Sequence, residues 1–179
     1  LQNRRDFAHR TNLYERPSVL HHRNAVAEIV ADCSGCVIAG GHVAILVNRL
    51  RFFGMQKVLQ RVPVIAWSAG AMALSSRIVL FHDRPAQGHG YAEVLDQGLG
   101  LFSGLIPLPR AQERLELSKP ARLAYLAKRF SPARCVPLEA NMWAELIGRM
   151  WRSYGARQFT EAGENVPWSS GVDAPTEMP

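Results

Sequence analysis

Several function classes need features that this chain lacks. Its 179 residues include only three cysteines, too few for a disulfide scaffold. No apolar run approaches the ~20 residues of a membrane span, and no signal-peptide pattern opens the chain. Reduced cysteines and no membrane segment fit a cytoplasmic protein. Basic residues outnumber acidic ones by 21 to 15, a net charge of +6. The arginines are scattered singly or in pairs, with no basic run and no nucleic-acid motif, which argues against a nucleic-acid partner. An acidic small partner stays compatible with the charge.

The cysteines also bear on metals and redox chemistry. Cys33-Ser34-Gly35-Cys36 has the C-x-x-C spacing of a redox pair or half a zinc site. No second ligand pair accompanies it, and Cys135 stands alone. The motif follows a helical pattern and leads into a strand, the reverse of the thioredoxin-like order. A packing role is therefore expected, with no metal and no cofactor.

What is present is an apolar fraction of 47% and a charged fraction of 20%, those of a soluble globular domain with a sizeable core. The chain opens at Leu1 rather than at methionine, as a fragment or a processed form would. Helical periodicity is predicted from about Ser18 to Ala31, from Val43 to Phe53 with Gly54 as its stop, and from Met55 to Gln60. Ser118-Lys119-Pro120 predicts a further helix start, running to about Phe130. Short apolar runs at Val37–Ala39, Val62–Ala66, Ile78–Phe81, Leu105–Leu108 and Cys135–Leu138 read as buried strands. Trp143 to Phe159 reads as a closing antiparallel hairpin, and 163–179 as a loose tail after a single domain spanning 1–162. Alternating short strands and helices imply an α/β architecture with a mostly parallel sheet covered on both faces.

One stretch carries a chemical signal. Val62 to Ala66 is strand-like, Ala69 to Leu74 can start a helix, and Ser68 stands between them. A strand reversing directly into a helix needs small neighbours and lifts the side chain at its tip out of the sheet. That is the mechanics of the nucleophile elbow, G-x-S-x-G, here Ala66-Trp67-Ser68-Ala69-Gly70. The plainer reading is a serine capping an ordinary helix. Gly40-Gly41 ends the preceding strand, at the carboxyl-end rim where α/β proteins gather functional groups. It serves either a tight turn or the approach of a backbone N–H to a substrate carbonyl.

Ala39-Gly40-Gly41 followed by a helix, then Trp67-Ser68-Ala69-Gly70-Ala71, resembles the dipeptidase E and cyanophycinase family of serine peptidases. The similarity runs from about Val37 to Trp143. It implies the class I glutamine amidotransferase-like fold, a flavodoxin-like three-layer α/β/α sandwich. The strand and helix with which relatives begin have no counterpart here. The resemblance further implies Ser68 as nucleophile. Gly41 or Gly40 and the N–H of Ala69 match the oxyanion donors. Asp83 stands where aspartyl dipeptidases carry a functional aspartate, and Glu139 in Pro137-Leu138-Glu139 matches a family glutamate.

The family's base histidine follows a proline at a strand end, and the matching position here is Arg110. A serine hydroxyl needs a neighbour that can take its proton, and arginine stays protonated. His42, after the glycine pair, is the first substitute; His82 and His89 are the others. Arg110 could instead hold Asp83, Glu139 or an anionic ligand. Two readings follow. One is a serine-type peptidase acting on small, perhaps acidic, peptides or amides. The other is a catalytically inactive binding protein with Arg110 as its anchor. Glutamine amidotransfer is disfavoured because that chemistry in this fold uses an elbow cysteine. An α/β-hydrolase esterase needs a late histidine, and none follows His89. Nothing in the sequence sets the oligomeric state, and a homodimer is compatible with it.

Overall fold

A computed structural model describes residues 6–8, 10–81, 93–168 and 172–173. After a 3₁₀ turn at Leu13–Glu15, the order is α1 (Pro17–Ala31), β1 (Cys36–Ile38), α2 (Val43–Phe52), α3 (Met55–Leu59), β2 (Val64–Ala66) and α4 (Ala69–Leu74). Next come β3 (Arg77–Leu80), β4 (Glu93–Gln97), β5 (Leu105–Pro109), α5 (Ala111–Arg114), α6 (Pro120–Phe130) and β6 (Arg134–Leu138). The chain closes with β7 (Trp143–Ile147), β8 (Met150–Tyr154), β9 (Arg157–Phe159), β10 (Asn165–Pro167) and β11 (Val172–Asp173).

Local chemistry accounts for most of these boundaries. Pro17 and Pro120 both open helices, where a missing N–H costs nothing. Val43, Val47 and Leu50 recur on one buried face of α2. Gly54 follows at φ 66°, the left-handed value that glycine supplies without strain. Leu123, Leu126, Ala127 and Phe130 form the buried stripe of α6, each large side chain stabilising the fold by roughly 1.5–3 kcal/mol. The N-cap of α6 is Lys119, one residue after the serine expected there.

The architecture is mixed α/β, built from small sheets of which some are parallel. Parallel pairs join β1 to β2 and β5 to β6, while β3–β4, β7–β8, β8–β11 and β9–β10 are antiparallel. The expectation of a mostly parallel sheet thus gives way to a majority of antiparallel pairings among the described residues. Short connections let β7 pair with β8 and β9 with β10 directly, while β3–β4 and β8–β11 join strands further apart in the chain. Asn165–Pro167, which composition assigned to a loose tail, pairs with β9, and Trp168 behind it is buried. Trp168 packs beside Trp151, 6.2 Å between ring centres.

Coverage differs between the two parallel pairs. On β5–β6, α6 covers one face through Ile106, Leu108 and Cys135. The other face, with Leu105 and Val136, lies under Trp151 and Trp168. On β1–β2, Ile38, Val64 and Ala66 face α1 to α4. Val37 and Ile65, paired in register on the opposite face, are 59% and 67% exposed. A helical layer on both faces, as a three-layer sandwich requires, is absent there among the described residues.

Candidate active site

Ser68 is the turning point between β2 and α4, at φ 52° and ψ −129°. Such values are rare for a residue with a side chain and cost about 1–3 kcal/mol. The six residues of α4 that follow are all buried. Burial of Met72 and Leu74 alone, at roughly 1.5–3 kcal/mol each, offsets that strain. The Ser68 side chain makes no helix-capping hydrogen bond, so the plain N-cap role is not the one it fills. Its carbonyl instead accepts from the Met72 N–H at 3.2 Å, and the Trp67 carbonyl from Gly70 at 2.9 Å.

Two glycines make the turn possible by close approach. A β-carbon on Gly70 would stand 2.3 Å from the Ile38 carbonyl oxygen and 2.7 Å from that of Ala39. Only glycine lets α4 lie directly on the end of β1. A β-carbon on Gly40 would meet Ser68 itself, 3.1 Å from its Cβ and 3.2 Å from its Oγ. The β1–α2 turn therefore sits against the serine hydroxyl. Gly41, at φ 134° with open space around it, continues the turn into the α2 N-cap His42, which is exposed. Strand pairing joins the two parts, since the Trp67 N–H donates to the Ile38 carbonyl at 3.2 Å.

Arg110 and Glu139 occupy the carboxyl ends of β5 and β6, neighbours through the register Pro109↔Leu138. They do not pair with each other. The Arg110 guanidinium holds Glu113, with Nε 3.1 Å from Oε1 and a second bond from its terminal nitrogen. Its backbone is left-handed, at φ 54° and ψ 44°. Glu139 accepts the Gln112 N–H at 2.8 Å and so caps the first turn of α5. Of the partners open to Arg110, Glu139 is not the one it takes: the nearer carboxylate, three residues on, holds the guanidinium. Asp83, His82 and His89 lie outside the described residues.

In the sequence Gly40 and Gly41 are indistinguishable, and Gly70 is only one small residue of the elbow. The signal was present in the small residue two places after the serine, but the carbonyls it meets belong to a distant strand. Glu113 was also missed, although its i,i+3 spacing from Arg110 was readable.

Other features lie apart from this site. A groove of about 660 Å³ lies between β4 and α6, lined by Val94, Leu115, Leu123, Leu126, Arg122 and Arg129 among others. None of its walls comes from the elements that carry Ser68 and Gly40. The cysteines are all free: Cys33 exposed, Cys36 half-buried and Cys135 buried. Burial pushes the Cys135 thiol up from 9.0 to about 12. No helix among the described residues is long and apolar enough to cross a membrane.

Compared with solved structures, the chain is similar to a peptidase from an acI-B1 Actinobacterium, with a TM-score of 0.51 and 18% sequence identity. The match covers 79% of this chain and 62% of that one. At that identity the likeness concerns the fold alone. No protein-family model matches the chain, and no curated protein matches it in sequence.

Proposed function

We propose that this protein is a serine-type hydrolase of small peptides or amides, of the dipeptidase E and cyanophycinase type, with Ser68 as nucleophile. The observation that carries the reading is the contact between the strained Ser68 turn and Gly40. A hydroxyl raised at a strand-to-helix reversal, with a glycine turn against it, is how a fold presents a nucleophile beside backbone donors. The peptidase-like fold supports the same reading.

In this mechanism Ser68 Oγ attacks the amide carbonyl carbon, and the carbonyl π electrons move onto oxygen. The N–H groups of Ala69 and Gly41, with Gly40 shaping the turn, receive that oxyanion. His42 takes the serine proton and returns it to the leaving amine. Water then attacks the acyl-enzyme, releasing the acid and restoring Ser68. Arg110 cannot serve as the base, since it stays protonated. Its exposed guanidinium is ion-paired with Glu113, a partner that a ligand carboxylate anchored there would have to displace at a cost of about 0–1 kcal/mol.

Reaction with a serine-directed fluorophosphonate probe tests this. Labelling is expected on the wild type, lost in Ser68→Ala and at least about 100-fold slower in His42→Ala. Labelling unchanged in His42→Ala would move the base elsewhere. No labelling of a folded chain would sink the hydrolase reading and favour a binding scaffold.

A further inference from the structure

The outer face of the β7–β8 hairpin is exposed, with aromatic and apolar side chains flanking one pair of opposite charges. Its inner face, with Ala144, Leu146 and Trp151, packs on the core around Val136. Outward, the register sets three cross-strand pairs in a row: Trp143 beside Tyr154, Glu145 beside Arg152, and Ile147 beside Met150. Trp143 is 56% exposed and Met150 48%. The Trp143 and Tyr154 rings stack at 4.8 Å and 15°, forming one continuous aromatic surface on the sheet. Tryptophan, tyrosine, methionine and arginine are the residues enriched at protein interfaces.

The charges identify the partner. Arg152 has no carboxylate partner among the described residues, and Glu145 only accepts the Tyr154 hydroxyl at 3.2 Å. We infer that this face binds a second copy of the chain, about a twofold axis running along the hairpin between its strands. Such an axis exchanges the two strands and leaves position along them unchanged. Glu145 then faces Arg152 of the second copy, twice over. Trp143 faces Tyr154 of the second copy, giving a four-ring cluster, and Ile147 faces its Met150. A twofold axis across the strands would instead oppose Glu145 to Glu145, so the charge pattern selects one arrangement. Sheet faces pack in this way about 10 Å apart with interdigitated side chains. The inference is independent of any chemistry at Ser68.

Sedimentation velocity on the full chain over a range of concentrations tests it. The wild type is expected to pass from monomer to dimer. Arg152→Glu and Glu145→Arg alone should each weaken self-association at least about tenfold, by setting like charges face to face. An equimolar mixture of the two variants should recover dimers, since one copy then presents two carboxylates and the other two guanidiniums. Recovery on mixing would also show that both variants are folded. Three outcomes overturn the proposal: a wild type that stays monomeric throughout, a dimer indifferent to both reversals, or a mixture that stays monomeric. The first would leave the Trp143–Tyr154 stack as a platform for some other ligand.

Discussion

Gly40 stands so close to Ser68 that a single added carbon would reach within 3.2 Å of the serine hydroxyl oxygen. The contact links the end of β1 to the turn after β2, two points that the chain separates by a whole helical segment. It is also the most sensitive test of the proposed chemistry. Gly40→Ala crowds an exposed turn rather than the core, so stability should change by no more than about 1 kcal/mol. The new methyl would displace Ser68 Oγ or the neighbouring N–H donor, and phosphonate labelling should slow by about 100-fold or more. Parallel measurement of labelling rate and thermal unfolding checks this. Equal losses in both would mean that Gly40 is a folding residue only.

Cys135 predicts a pH dependence of stability. Its thiol is held up to about 12 in the folded protein, against an ordinary 9.0. Well below pH 9 both states keep the proton, and the residue's contribution is fully present. Between pH 9 and about 12 the unfolded thiol ionises while the folded one does not. The unfolded state then binds fewer protons, so stability falls as pH rises, by up to about 1.4 kcal/mol per pH unit from this group. Chemical denaturation of wild type and Cys135→Ala at several pH values isolates it: the difference between their slopes should appear from roughly pH 8 upward. A thiol reagent should modify exposed Cys33 and leave Cys135 untouched until the chain unfolds.

Trp168 predicts how much residues 163–168 contribute to the fold. It is buried against Trp151, and β10 just before it pairs with β9. Trp168→Ala should cost about 3–5 kcal/mol, the range for removing a buried aromatic. The Trp168 indole N–H is itself buried with no hydrogen-bond partner among the described residues. Trp168→Phe discards that unmet donor and keeps most of the ring, so it should cost less than about 1.5 kcal/mol. Urea midpoints of the two variants decide the matter. An Ala variant as stable as wild type would return the segment to a loose tail.

Features that depend on a few adjacent residues were legible along the chain. Prolines and glycines marked helix ends, the stripe of α6 marked its buried face, and small residues around Ser68 marked a tight reversal. Each of these is decided within a turn or two of backbone. Tertiary structure alone decided which groups meet across the chain. Arg110 and Glu139 come side by side on β5 and β6, and Glu139 caps α5 from a strand end 27 residues further along the chain. Gly40 reaches Ser68, Gly70 reaches the carbonyls of β1, and Trp168 finds Trp151. The antiparallel pairings and the bare face of β1–β2 belong to the same class. Such contacts follow from strand register and close packing between distant segments, and neither leaves a periodic trace along a single stretch of sequence.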